Sequence, residues 1–393
     1  MPREHSTTEV ESLIEKGEAG NRKNKDNVIV SSSTAPTKKK YSTKIIAFAA
    51  LVVVQGAHIL FFRLSQINGK YAYNTASAVA VTEAVKLFMS AGLYWAGTER
   101  KMPPLSMFFS YTFCAAAYAI NNQLAMWLLL SMGTGMVSLG KSLTPMLTAM
   151  TMWSLYPDEK FVRMQGICFV ILTMGLVCLF APGQNSGNPI TPLALAWMLF
   201  SIGVSTFTAV YNSRILQRGG VSMHMQNMML YSQGFVFNII MYVSGINATG
   251  KGASSQGFFD GYGNFFVIGV LLSQSFMGLV ISAVYKYGDA IIKGLASSTQ
   301  SSGLLLFDAF LFGYHFNIQS IMGAGIVMVT TYTYLTEAIP AQLKAKEEDK
   351  KNDKKGVVQA SASKRDLLRY ACGAFLALSY GVIVAYLVIF YAS

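Results

Sequence analysis

What most limits the fold of this chain is a succession of apolar runs, each about as long as the 20 residues a helix needs to span hydrocarbon. They fall near 45–62, 73–95, 106–129, 134–155, 163–181, 192–213, 227–245, 264–285, 289–312 and 318–337, with an eleventh over 368–391. Turn-forming clusters part them at Gly97–Pro104, Pro182–Pro192, Gly245–Gly263 and Gly313–Gln319. A segment crossing lipid must satisfy its backbone polar groups internally, so runs of this length read as α-helices. Charged residues make up only 13% of the chain, about half the share of a soluble domain. The expected fold class is all-α, a polytopic membrane protein, with the lipid bilayer as its surroundings.

The formal net charge of +12 does not point to nucleic acid. The basic residues gather in the first 44 positions and in 338–370, which are tails flanking a membrane core and not a groove. Residues 1–44, rich in Ser, Thr and Lys, read as a disordered cytosolic tail. No cleavable leader is visible, so the first apolar run reads as an uncleaved signal anchor. With that tail in the cytosol, loops on the same side carry Arg100, Lys101, Lys160, Arg163, Arg214, Arg218 and Lys286. Loops on the other side carry Arg63, Lys70 and Lys251. The excess follows the positive-inside rule. The sequon Asn247-Ala248-Thr249 falls in a luminal loop and makes Asn247 a glycosylation candidate.

Cys114, Cys168, Cys178 and Cys372 lie inside apolar runs without metal-ligand spacing. His5, His58, His224 and His315 are scattered, and no phosphate-binding loop occurs. Neither an enzyme nor a cofactor is expected.

The first ten runs divide at 182–191 into five and five. Because five is odd, the halves 45–181 and 192–337 point oppositely across the bilayer, the inverted repeat common in secondary transporters. The fourth run of each half carries a short echo, Gly140-Lys141-Ser142 against Ile292-Lys293-Gly294. The expected bundle therefore has two inverted five-helix repeats, a charged cytosolic linker over 338–367, and an additional hydrophobic helix over 368–391.

Ionisable residues within the runs are few: Glu83, Lys86, Lys141, Asp289, Lys293, Asp308 and Glu337. A charge at a helix centre costs roughly 2.5–3.5 kcal/mol on insertion scales, so each needs a partner or a watery cavity. Inverted symmetry brings Lys141 and Lys293 toward the midplane from opposite sides. Either they ligate an anion of about two charges between them, or they snorkel to the interfaces. Glu83 and Lys86, three apart on one helix, can pair, as a structural device or as part of a gate. Asp289 stands where a helix N-cap is expected. Small residues crowd the lysines: Gly133, Gly135 and Gly140 on one side, Gly294, Ala296, Ser297 and Ser298 on the other. They permit close helix approach, and their hydroxyls can line a polar path.

Several stretches resemble one family, the nucleotide-sugar transporters, in the branch that carries CMP-sialic acid, UDP-galactose and UDP-N-acetylglucosamine. YKYGDAIIKGL from Tyr285 to Leu295 is similar to the branch's K-Y-x-D-N-I-x-K-G-F motif. FFDGY from Phe258 to Tyr262 and TEAVKL from Thr82 to Leu87 resemble two further elements. Val210-Tyr211 with Gln226-Asn227 and Leu230-Tyr231 resembles another, and Asn121-Asn122 resembles the family Q-N-N. The resemblance implies ten helices in two inverted halves. It further implies antiport, a nucleotide-sugar entering the Golgi or endoplasmic reticulum lumen as a nucleoside monophosphate leaves. In this reading Lys141 and Lys293 hold the phosphates, and Asn121 and Tyr231 contact the nucleotide or sugar. Asn122, Gln233, Thr134 and Ser297 complete the candidate substrate-binding set. Three positions depart from the family pattern: Ala290 stands for its asparagine, Gly140 for its glutamine and Thr134 for a tyrosine. The KGLASS and LFGYHF stretches look closer to UDP-sugar carriers. The cargo expected is UDP-N-acetylhexosamine or UDP-galactose. CMP-sialic acid, another nucleotide-sugar or a different metabolite of the same superfamily is the alternative. A homo-oligomer is compatible with this reading.

Overall fold

A computed structural model describes residues 41–62, 64–65, 71, 73–98, 101–141, 143–156, 159, 161–180, 192–218, 220–247, 255–312, 318–354, 370–374, 376–379 and 381. Most of the 1–44 tail, the 182–191 connection, Ala248 and Thr249 of the sequon, the linker beyond Lys354 and much of 368–391 lie outside the described residues.

Among the described residues the chain is helical and no strand occurs. The helices are α1 (Tyr41–Phe62), α2 (Thr75–Ala96), α3 (Leu105–Lys141), α4 (Thr144–Leu155), α5 (Arg163–Phe180), α6 (Pro192–Arg218), α7 (Met223–Ser244), α8 (Phe265–Tyr287), α9 (Ala290–Phe312), α10 (Ile318–Thr333) and α11 (Ile339–Lys354). A π turn, Tyr334–Ala338, joins the last two. By length and composition α1, α2, α6 and α8 each suffice to cross a membrane.

The helices turn their apolar faces outward. Val53, Phe88, Phe109, Val236, Phe276 and Val329 are all more than half exposed, while Asn74, Thr75, Ser77, Thr82 and Glu83 of α2 are buried. A water-soluble fold sorts its residues the other way, so lipid is the solvent of this outer surface. The polar interior is held by pairs. Asn74 caps α2 by accepting from the amides of Ala76 and Ser77, and Thr75 donates to Gln123 of α3 at 2.8 Å.

α2 packs chiefly on α7 and on α8, α5 on α10, α3 on α6 and α7, and α4 on α6 and α9. The α5–α10 seam brings backbone against backbone. A methyl group on Gly323 would lie 2.4 Å from the Leu179 amide nitrogen and 2.7 Å from the Gly175 carbonyl. Only hydrogen at this position lets the two backbones touch.

Two runs expected apart, 106–129 and 134–155, are divided differently. Helix is continuous from Leu105 to Lys141 and resumes at Thr144, with Leu143 in a turn before it. This helix is not straight. On a straight axis Asn121 and Gly140 would stand about 28 Å apart. Yet Asn121 accepts a bond from Ser201, and a methyl group on Gly140 would collide with Met198, one turn from Ser201 on α6. The chain therefore turns back between 121 and 140 and runs along α6 twice. The break has a local cause: Pro145 has no amide hydrogen for the Lys141 carbonyl, and its ring crowds that oxygen. The stretch expected as a linker, 338–367, is helical through Lys354.

One end of the bundle, here the tail side, gathers the start of α1, the α4–α5 and α8–α9 connections, the end of α6 and the α10–α11 joint. Tyr41 donates to the Leu335 carbonyl, Lys286 to that of Leu216, and Gln217 to those of Tyr285 and Gly288.

Candidate functional site

Pro145 also brings the two lysines of the sequence reading together. Its ring lies 3.5 Å from where a methyl on Gly294 would sit, so the first turns of α4 and α9 lie against each other. Lys141 is four residues before Pro145 and Lys293 one before Gly294, which leaves them about one helical turn apart along the bundle. Each ammonium group is near enough for Lys293 to repel Lys141. Protein surrounds both, yet solvent reaches the Lys141 side chain, and Lys293 is half-buried. That combination fits two ammonium groups facing a recess of the bundle and not a packed core. Among the described residues neither ammonium has a hydrogen-bond or ion-pair partner.

A second source of positive potential adjoins them. α4 begins at Thr144 behind Leu143, whose side chain caps nothing. Among the described residues no side chain caps its first turn, where Thr144 and Met146 carry the amides and Pro145 has none, and an open helix N-terminus attracts anions. α9 differs, because Asp289 accepts from the Ile292 amide at 2.9 Å and closes that terminus. Asp289 also receives Lys44 of α1 at 3.2 Å. It lies one turn below Lys293, so this ion pair closes the tail-side approach to the lysines.

The remaining candidates fall into separate groups. Ser297 stands one turn beyond Lys293 and accepts from Gln55 of α1 at 3.1 Å. Asn121 accepts from Ser201 of α6 at 2.8 Å, with Asn122 half-buried beside it. One turn earlier, Tyr118 accepts from Asn212 and bonds Tyr285. Thr134 lies on α3, its side chain outside the described ones, as does that of Asp308 on α9.

Glu83 and Lys86 pair at 2.5 Å between two glycine notches. A methyl on Gly234 of α7 would lie 3.1 Å from the Glu83 carboxylate, and one on Gly278 of α8 2.4 Å from the Lys86 chain. The Lys86 ammonium stands 4.7 Å from the Tyr231 ring, a cation–π distance. The Tyr231 hydroxyl donates to the Gly278 carbonyl at 3.1 Å. Gln233 lies on another face of α7, where its amide donates to the Phe108 carbonyl. Tyr231 and Gln233, two residues apart on one helix, face different neighbours. Asn247 is half-buried on the α7–α8 connection, its amide bonded to the Gly245 carbonyl.

Sequence reasoning did not single out Asn227 as a site residue. It is 1% exposed, and both ends of its amide lack a partner. It stands one turn before Tyr231, on the same stripe as Gly234 and Asn238. A buried amide left open on both atoms normally costs stability, which makes Asn227 a polar group awaiting a ligand or water. Position in the Q-N-M-M-L-Y stretch was the available signal. Among the described residues no cluster of His, Cys, Asp and Glu could hold a metal.

Known proteins agree with this architecture. A profile of the nucleotide-sugar transporters matches residues 39–335. The Probable UDP-sugar transporter protein SLC35A4 of Rattus norvegicus is 27% identical over 258 residues, covering 61% of this chain and 77% of that protein. CMP-sialic acid transporter 2 of Oryza sativa subsp. japonica is 25% identical over 311 residues, covering 76% and 85%. A solved crystal structure aligns with a TM-score of 0.57 at 12% identity, over 76% of this chain and 99% of the other; it shares the fold. With a family match over most of its length and a lipid-facing helical bundle, the chain belongs to the nucleotide-sugar transporters, which are carriers and not enzymes.

Proposed function

We propose that this carrier imports a UDP-sugar into the Golgi or endoplasmic reticulum lumen in exchange for a nucleoside monophosphate, with its tail side in the cytosol. The observation that carries the reading is the pair of unpartnered ammonium groups, Lys141 and Lys293, beside the uncapped start of α4. Two like charges held in a recess, with no acid paired to either among the described residues, favour a guest of about two negative charges. A nucleotide phosphate supplies them. Asn121, Asn122, Tyr231, Ser297 and the open amide of Asn227 supply polar neighbours for base and sugar.

The architecture proposed is two inverted five-helix halves, α1–α5 and α6–α10. The packing supports it: α2 meets α7, α4 meets α9 and α5 meets α10, each the counterpart of the other. The α3–α7 contact likewise has its mirror in α2–α8. Rocking of such halves about a midplane site gives alternating access. Exchange follows from electrostatics, since an empty recess leaves the lysine pair uncompensated during the turn while a loaded one does not.

Transport by purified protein in liposomes tests this. Preloaded uridine monophosphate is expected to stimulate uptake of labelled UDP-N-acetylglucosamine or UDP-galactose. Unlabelled UDP-sugars should compete better than GDP- or CMP-sugars. Lys141→Ala and Lys293→Ala should each abolish exchange without loss of folded protein. Full exchange in either variant removes that lysine from the site. Preference for CMP-sialic acid in the panel would move the chain to that branch.

A further inference from the structure

The tail-side mouth is closed by charged groups that cross between halves and by one from outside both. Glu159, on the α4–α5 connection of the first half, accepts from Arg214 of the second half at 2.5 Å. Its other oxygen accepts from Lys346 of α11 at 2.6 Å. The Arg214 guanidinium also stacks over Tyr156, 4.2 Å from the ring centre. Lys44 of the first half pairs with Asp289 of the second. Lys346 lies within electrostatic reach of Asp289 as well as in contact with Glu159. One ammonium on α11, the helix that follows the second half, thus holds an acid of the first half. The π turn at Tyr334–Ala338 aims that helix back across the mouth, with Tyr334 bonded to Gln165 of α5 beneath it.

We propose that α11, which continues from α10 of the second half, is a latch, its Lys346 gripping Glu159 of the first half to hold the two halves together on the tail side. The inference rests on the reading of the chain as a two-state carrier. Opening that side carries Glu159 away from Arg214 and from α11, so Lys346 must release it. The pairs binding the halves directly, Glu159–Arg214 and Lys44–Asp289, are buried, whereas the Lys346 side chain is 32% exposed. It is the member that solvent, salt or a ligand of the tail can reach first. Whatever displaces α11 shifts the resting carrier toward opening on this side.

The test uses the full-length chain with its native cysteines replaced and a single reporter, Ser213→Cys. Ser213 is 2% exposed beneath the network, beside Arg214. A membrane-impermeant maleimide applied from the tail side then reads opening in liposomes without substrate. Lys346→Ala is expected to label about two- to fivefold faster than the parent, the shift that loss of a partly exposed ion pair gives. Lys346→Arg should label at the parent's rate. Raising salt should speed the parent, as ions screen the pair, and leave Lys346→Ala unchanged. Equal rates in parent and Lys346→Ala, or the same salt response in both, overturn the latch. Adding uridine monophosphate to the parent separates the two claims. A Lys346→Ala effect with no response to any nucleotide keeps the latch and refutes the nucleotide cargo.

Discussion

Gly323 and Gly325 sit two residues apart on α10 and differ only in what surrounds them. The first abuts the backbone of α5, and the second meets nothing within 4 Å. A backbone cannot give way as a side chain does. Gly323→Ala should therefore destabilise the protein by about 1–3 kcal/mol or more, as overpacking does, while Gly325→Ala should be neutral or gain up to about 1 kcal/mol of helix propensity. Thermal unfolding of the two variants in detergent checks this, and equal melting points would refute the seam. At the same scale the sequence was legible where charge was concerned. Glu83 and Lys86 stand three apart, and their pairing follows from helical geometry. Asp289 was readable as a cap, but its second partner Lys44 is 245 positions away, and no local pattern announces such a contact. Gln233 and Tyr231 show the converse limit. The sequence reading placed both in one substrate-binding set, and the pitch of α7 sends them to different neighbours.

Helix boundaries were legible because lipid imposes a length and turn residues punctuate it. α5 was expected over 163–181 and runs Arg163–Phe180; α9 was expected over 289–312 and runs Ala290–Phe312. The reversal within α3 was not, since Leu105–Lys141 turns back without a non-helical gap before residue 142. Pro145 does show in sequence, and its consequence is mechanical. It denies the Lys141 carbonyl a partner, ends the helix there and exposes the start of α4 to the recess. Pro145→Ala is expected to mend that break. Helix propensity favours the change by up to about 3 kcal/mol, so the variant should fold at least as well as the parent. Exchange should still drop on the order of tenfold or more, the cost of one charge-assisted hydrogen bond to the guest. A variant that is both stable and fully active would detach the break from function.

At the scale of the molecule, the all-helical, lipid-facing plan was readable from the apolar runs, and the odd count of runs in each half is what makes an inverted arrangement the expectation. Which helix meets which was not readable, because outward faces carry only a demand for lipid and the partners are chosen by small residues and scattered polar pairs. The seam between α5 and α10 now bears on how such a body moves. Backbones in van der Waals contact at Gly175, Leu179 and Gly323 leave no slack, whereas the tail-side mouth is spanned by side chains. A fulcrum belongs where separation cannot change, and a jaw where it can. Tethering α5 to α10 with a cysteine crosslink should leave turnover nearly intact, while tethering α1 to α9 should arrest it, as measured by exchange before and after reduction of each link. Two glycine-bared helices in backbone contact thus predict a carrier that pivots on their shared edge, opening like a book about its spine instead of parting down the middle.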